Sequence, residues 1–357
     1  EMGDGLPFVA LGSGRTARAI SAGEFHTCAL LDDDTIKCWG RNNGGRLGLG
    51  DLNHRGDQPG EMGDALPAVD LGTSGAAAGI AAAQDFTCAR LETGAVKCWG
   101  TGTLGRLGTG DTTARGDQPG EMGDALPVVD LGTGRTAIDL DASAGSFHTC
   151  AILDDNSLKC WGYNPGGPRG RGDNAPRGAG RGERGPPPPA VSLGTGRTAT
   201  AVTVGSTSTC ALLDNGSVKC WGNGNSGLGL GNTINRGDGP GEMGDALPTV
   251  DLGTGRTATR LDKVGSTTCA TLDDATMKCW GFNGSGQLGL GDTANRGNVP
   301  GQMGNALPTV DLGTGRTASV IGGGMSHRCA ILDDGTLKCR GFHGSGQLGL
   351  GDTPTPG

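Results

Sequence analysis

The chain's 12 cysteines are the side chains whose types and spacing most plainly carry chemistry. They fall as six pairs, Cys28 with Cys38, Cys88 with Cys98, Cys150 with Cys160, Cys210 with Cys220, Cys269 with Cys279 and Cys329 with Cys339, each pair ten residues apart. An even count, one pair per copy of a motif, points to a local disulfide in each, worth roughly 2–3 kcal/mol of chain-closure entropy less any strain. The competing reading is reduced thiols that fill a core as small hydrophobes. Zinc calls for CxxC-type spacing, which the chain lacks. The nearby His26, His148 and His327 lie in different repeats and alternate with Phe86, Ser208 and Thr267, so they read as structural. No nucleophile, base and orienting residue form a set, and no GxxxxGK[ST] phosphate loop occurs, so no catalytic residue, no cofactor-binding residue and no enzymatic activity is expected.

Each cysteine pair must be held by a hairpin. In residues 26–40 two apolar runs, CALL and IKCWG, flank the polar turn DDDT. The other five copies turn through ETGA, DDNS, DNGS, DDAT and DDGT, residues that tolerate left-handed backbone or bond their own chain. The copies recur with a period close to 60, and EMGD stands at Glu1, Glu61, Glu121 and Glu242, with QMGN at Gln302. Each unit reads LPxVDL, then a small-residue strand after GRTA, then the two hairpin strands. Four short strands per repeat predict an all-β fold, a β-propeller of four-stranded blades, with a stacked solenoid as the alternative. A solenoid needs atypical capping repeats, whereas this chain begins and ends in mid-unit. Residues 1–12 supply the strand that the last unit lacks. The expectation is therefore a single domain over 1–357, six blades closed by the N-terminal strand, with seven blades as the alternative. Arg340 stands where Trp39, Trp99, Trp161, Trp221 and Trp280 occupy the other hairpins. It belongs to the blade proposed to close the ring, so an altered neighbour accounts for it more readily than a binding role.

Composition bounds the partners. A net charge of -8 disfavours nucleic acid, which calls for a basic face. No apolar run approaches the roughly 20 residues of a membrane helix, so no direct membrane insertion is expected. With 73 glycines and only 3% aromatics, the core must rest on Leu, Val, Ile, the recurring Trp and the disulfides. Glu1 falls inside a repeat with no initiator Met, as in a processed or partial product. Cysteine pairing points to an oxidising compartment, extracellular or at the cell surface.

The combination HTCAL, KCWGxNxxGxLGxGD and a following PxxV, clearest as KCWGFNGSGQLGLGD at 278–292, resembles the regulator of chromosome condensation repeat over essentially the whole chain. The resemblance implies a propeller of four-stranded blades, usually seven. It transfers function poorly, because its members include a nuclear GTPase exchange factor, a plant UV-B photoreceptor and a secreted bacterial β-lactamase inhibitor. Paired cysteines in every blade are similar to secreted microbial versions and argue against the exchange factor.

Several segments are candidates for binding. Residues 168–186 align without gaps to 46–64, yet Arg169, Arg171, Arg177, Arg181 and Arg184 give that loop five arginines against two acids. A local charge reversal on an acidic protein is a candidate docking surface for an acidic protein or a polysaccharide, against a drifted surface loop. Pro186 to Pro189 follow and favour an extended polyproline conformation. Asn215 and Asn283 open N-glycosylation sequons. Asp51, Asp57, Glu61 and Asp64 have the oxygen ligands that calcium takes, with a solvated acidic loop as the alternative, and no other cofactor is suggested. RGD at 55–57, 115–117, 171–173 and 236–238 reads mainly as one event copied. The sequence thus predicts a non-enzymatic, secreted or cell-surface interaction and structural module that binds a protein, a polysaccharide or copies of itself. An inhibitor that caps a specific enzyme is the second reading, which a clustered set of exposed aromatics on one face would favour.

Overall fold

The repeated hairpin forms because a polar turn with one left-handed position separates two short strands, of six and five residues. A computed structural model describes residues 6–73, 75–174 and 189–350. Six antiparallel triplets appear in chain order. They are β1–β3 (Ala17–Ala22, His26–Leu31, Ile36–Gly40), β4–β6 (Ala77–Ala82, Phe86–Leu91, Val96–Gly100) and β7–β9 (Ala137–Asp141, His148–Leu153, Leu158–Gly162). Then follow β10–β12 (Ala199–Val204, Ser208–Leu213, Val218–Gly222), β13–β15 (Ala258–Val264, Thr267–Leu272, Met277–Gly281) and β16–β18 (Ala318–Gly323, His327–Leu332, Leu337–Gly341). The chain divides into two compact units, one holding β1–β9 and the other β10–β18.

Register places the two cysteines of every hairpin directly opposite one another. Cys28 faces Cys38, Cys88 faces Cys98 and Cys150 faces Cys160 in the first unit. In the second, Cys210 faces Cys220, Cys269 faces Cys279 and Cys329 faces Cys339. The Cα atoms lie 4.0–4.1 Å apart and all six pairs are disulfide-bonded, with no free cysteine left, so the reading as reduced core thiols is set aside. That separation is the close, non-hydrogen-bonded type of antiparallel pair, where side chains approach most nearly. The third turn residue is left-handed in each hairpin: Asp34, Gly94, Asn156, Gly216, Ala275 and Gly335. Alanine is the misfit there, because at φ 64 its Cβ crowds the carbonyl, a cost of about 1 kcal/mol. Ala275→Gly is expected to stabilise the protein by about that amount, read as a higher urea midpoint at unchanged slope. An unchanged or lower midpoint would show that the turn does not carry this strain.

The expected fourth strand is shorter than a strand. Val69, Val129 and Val191 donate their N–H to the carbonyls of Ile36, Val96 and Leu158, and Val250 and Val310 do so to Val218 and Met277, at 2.7–2.8 Å. Pro67, Pro127, Pro189, Pro248 and Pro308 stand two residues before each valine and bring no N–H, which keeps the ladder short: its one bridge among the described residues joins Lys97 and Val128. The blades are therefore three-stranded sheets with a fourth segment pinned at one point. In the segment 1–12, expected to act as a strand, residues 6–12 form no strand, and Phe8 and Val9 are exposed. Residues 1–5 of that segment lie outside the described residues.

Packing repeats as regularly as the strands do. In the first unit the disulfide face of one sheet, Cys28, Leu30, Ile36 and Cys38, buries against Ala77, Ala89, Leu91 and Trp99 of the next. In the second, Cys210, Leu212, Val218 and Cys220 bury against Ala258, Ala270, Leu272 and Trp280. A tryptophan and two layers of aliphatics thus replace the aromatic core that the composition lacks.

Candidate functional site

Most of the recurring motif residues are occupied by the scaffold. Glu61 and Glu121 each accept three successive backbone N–H groups, at 56–58 and 116–118, and Gln302 does so at 297–299. Asp64, Asp124 and Asp245 bind the backbone N–H and hydroxyl of Ser13, Thr73 and Thr195. These bonds hold the Asp64 carboxyl below the usual range. Asp51 is engaged by Arg55 at 2.6 Å. Asp51, Glu61 and Asp64 therefore have separate duties, and among the described residues no group of three or more His, Cys, Asp or Glu gathers as a metal site. The arginines of three RGD copies, Arg55, Arg115 and Arg236, bridge to Gly40, Gly100 and Gly222 in the backbone.

Asn283 is buried, and its Nδ2 donates to the carbonyls of Asp292 and Ala294 while its Oδ1 accepts from Leu288 N–H. That nitrogen is unavailable to a glycan, so the Asn283 sequon is corrected to a scaffold asparagine, as Asn42 is in the first repeat. Asn215 stands exposed in a hairpin turn. Arg169 does not present a basic surface. It is buried at the position of Leu47 and lies 3.7 Å from Asp173. Arg171 is half-buried, while Arg177, Arg181, Arg184 and Pro186 to Pro188 lie outside the described residues.

What the repeat does not require is the better guide to function. Two positions at one end of every sheet vary freely: the residue before the second strand and the residue after the third. A backbone bond ties them, from Arg41 N–H to Phe25 carbonyl, Thr101 to Asp85 and Tyr163 to Phe147 in the first unit. In the second unit it runs from Asn223 to Thr207, Phe282 to Ser266 and Phe342 to Ser326. Five of the seven Phe and Tyr residues fall on these positions: Phe25, Phe147, Tyr163, Phe282 and Phe342.

In the first unit this rim is joined up. The Arg41 guanidinium lies 5.0 Å from the Phe25 ring centre, and that of Arg106 lies 4.7 Å from Phe147. Arg106 also donates to both Asp85 carboxylate oxygens at 2.6 Å, and Phe147 and Tyr163 pack with ring centres 5.7 Å apart. Arg46 reaches the Gln84 carbonyl at 3.2 Å. Arginine stacked on aromatic rings, with the rings partly open to solvent, is chemistry that binds protein surfaces. In the second unit Phe282 and Phe342 are exposed at the same positions.

The second unit has a buried charge cluster that depends on register. Arg328 replaces the threonine of the HTC strand and faces Arg340, which replaces the tryptophan. Arg340 Nε donates to Gln287 carbonyl at 3.0 Å, the counterpart of the bonds from Trp99 to Arg46 and from Trp221 to Pro168. Its role is packing. Burial, with Arg328 beside it, pulls the Arg340 guanidinium down to about 10. Arg328 reaches back to Asp262 and to the Thr267 carbonyl. Lys263 Nζ donates to Ser226 carbonyl and Thr268 hydroxyl, each at 2.8 Å, and burial, reinforced by Arg328, draws it down to about 7. These cations fill places that other repeats give to apolar or hydroxyl side chains. The cleft beside them is lined largely by Ala201, Leu261, Val320 and Ile321, and its one carboxylate, Asp262, is already engaged by Arg328.

A family profile described as the Regulator of chromosome condensation (RCC1) repeat matches residues 17–46, 141–167 and 199–228. The chain is 28% identical over 341 residues to the Ultraviolet-B receptor UVR8 of Arabidopsis thaliana, covering 95% of this chain and 68% of that protein. It is 27% identical over 282 residues to the E3 ubiquitin-protein ligase HERC2 of Homo sapiens, covering 77% of this chain but 5% of the ligase. Prp20p from Saccharomyces cerevisiae, studied for its binding to Gsp1p and histones, superposes with a TM-score of 0.68 at 17% identity, covering 94% of this chain and 74% of that one. At that identity the likeness is one of fold.

Proposed function

We propose that this RCC1-like repeat propeller is a non-enzymatic protein-binding module that works outside the cell and uses the aromatic and arginine rim as its contact surface. The observation that carries this reading is the concentration of five of seven Phe and Tyr residues on two positions that the scaffold leaves free. Aromatic and arginine side chains dominate binding hot spots because they bury large areas at low entropic cost. The His26 and Thr87 side chains, 2.8 Å apart, resemble a base and nucleophile, but both are buried and the Thr87 hydroxyl donates to Arg46 carbonyl. That supports a role without catalysis. The six disulfides support an oxidising compartment, and no helix among the described residues is long and apolar enough to cross a membrane.

The test uses the oxidised chain as bait for proteins of the surrounding medium, followed by affinity measurement with the protein captured. Phe25→Ala combined with Tyr163→Ala is expected to weaken binding at least about 30-fold, the effect of losing a hot spot of roughly 2 kcal/mol, without moving the melting temperature. Ile138→Ala, at an exposed residue toward the opposite, turn end of its sheet, serves as the control. Equal binding by all three proteins would overturn the rim as the contact surface. Alkylation of the native protein before reduction addresses the compartment: 12 reactive thiols in freshly isolated material would overturn the extracellular reading. Clustering of the aromatics also favours the inhibitor reading within this class. Loss of a captured enzyme's activity at one-to-one binding would establish it.

A further inference from the structure

The second residue of the hairpin turn has a scaffold duty. Asp33, Asp274 and Asp334 each accept, on one carboxylate oxygen, the backbone N–H and the hydroxyl of the threonine two residues on, at 3.0–3.2 Å and 2.6 Å. Asp155 accepts from Ser157 N–H at 3.0 Å. The bond from the hydroxyl does most to hold these four carboxyls below their ordinary range, so the turn is served best by a charged acceptor. In the β11–β12 turn the place belongs to Asn215, the one amide among the six. Its Oδ1 accepts the same two bonds, from Ser217 N–H at 3.1 Å and from the Ser217 hydroxyl at 2.7 Å. Asparagine thus gives the turn what aspartate gives, less the charge. What it adds is Nδ2, which makes no hydrogen bond among the described residues, on a side chain exposed to solvent.

We propose that Asn215 carries an N-linked glycan and that Asn283 does not, an inference that rests on the extracellular reading. The co-reactant is a lipid-diphosphate-linked oligosaccharide. The bond from the sugar's anomeric carbon to the diphosphate oxygen breaks, and its electron pair leaves with the lipid diphosphate. A bond from that carbon to Nδ2 forms, Nδ2 gives up one proton to the transferase, and nothing is oxidised or reduced. The two donors on Oδ1 stabilise the negative charge that builds on the amide as the proton leaves. Residues 214–217 complete this turn by themselves, so it forms in the nascent chain before the sheets pack. Asn283 is buried with Nδ2 bonded to two carbonyls, and a chain modified there cannot return that side chain to its place. The Asn215 turn lies at the opposite end of its sheet from Thr207 and Asn223, so the glycan leaves the rim of that sheet open.

Peptide mapping of the protein from its natural source tests the proposal. Free thiols are alkylated first, and the digest is treated with a peptide N-glycosidase in heavy-oxygen water, which turns a glycosylated asparagine into labelled aspartate. Label at Asn215 and none at Asn283 is the expected result. An unlabelled Asn215 in a protein whose 12 cysteines are all paired would overturn the glycan and leave the extracellular reading standing. Reactive thiols beside an unlabelled Asn215 would overturn both. Label at Asn283 would overturn the exclusion of that site. Secretion of variants by a eukaryotic host tests the geometry. Asn215→Asp, which installs the acceptor that four other turns use, and Ser217→Ala should each lose the whole glycan, whereas Ser217→Thr should retain it. A fully glycosylated Ser217→Ala would overturn the part given to the hydroxyl.

Discussion

Reduction of the six hairpin disulfides is expected to unfold the protein at 37 °C. Each bond closes a loop of ten residues' separation. Chain-closure entropy gives about 2–3 kcal/mol for each, so the set contributes on the order of 12–18 kcal/mol, comparable to the whole stability of an ordinary domain. A chain with 3% aromatics has little else to substitute for them. The measurement is a thermal melt with and without a phosphine reductant, and retention of the oxidised melting temperature would refute the argument. Order of loss is also expected. Cys329 and Cys339 are partly exposed, whereas the other ten cysteines, Cys98 and Cys279 among them, are buried. Limiting reductant should therefore open the bond between Cys329 and Cys339 first, as peptide mapping of alkylated thiols would show. Removing one buried bond, as in Cys150→Ala with Cys160→Ala, should cost about 2–3 kcal/mol.

The hairpins are legible in the sequence because spacing, polar turn and cysteine pairing all agree on them. The fourth strand is overcounted for a physical reason: LPxVDL has the apolar alternation of a strand, but its proline removes the N–H that a ladder needs. Arg169 and Asn283 show how a local motif can mislead when its repeat position is ignored. Arg169 aligns with Leu47, and Asn283 with Asn42, both buried. A charge count or a sequon does not carry that constraint, whereas alignment of the repeats does. The rim escapes notice in the opposite way. Total aromatic content suggests little, but sorting Phe25, Phe147, Tyr163, Phe282 and Phe342 by repeat position places all five on two sites. Arg340 stands out as an exception to the tryptophans. Its partner Arg328 becomes visible only when strand register sets the two opposite each other.

Acid should destabilise the protein well above the pH at which its carboxylates protonate, and His26 is the reason. The ring is buried, and Nε2 lies 2.8 Å from the Thr87 hydroxyl, which itself donates to Arg46 carbonyl. Nε2 therefore carries the proton of the neutral ring. Charging the ring would place a second proton on Nδ1, which has no hydrogen-bond partner among the described residues. Burial, with a smaller contribution from the nearby Arg46 charge, depresses the His26 pKa from 6.5 to about 3. Between those values the unfolded chain binds a proton that the folded chain refuses, so stability falls as pH drops below about 6.5 and levels off below about 3. At pH 4.5 the loss is about 2–3 kcal/mol, at 1.36 kcal/mol per pH unit. The hydrogen-bonded carboxylates, such as Asp33, Asp124 and Asp274, sit below their ordinary range and add their own loss only in stronger acid. His26→Phe, the residue type that Phe86 provides at the same position, should remove the His26 share of the decline, about 2–3 kcal/mol at pH 4.5, while leaving the part owed to His327, which burial and Arg328 also lower, and the steeper fall below pH 4. A variant that declines in parallel with the wild type across that window would place the acid sensitivity elsewhere.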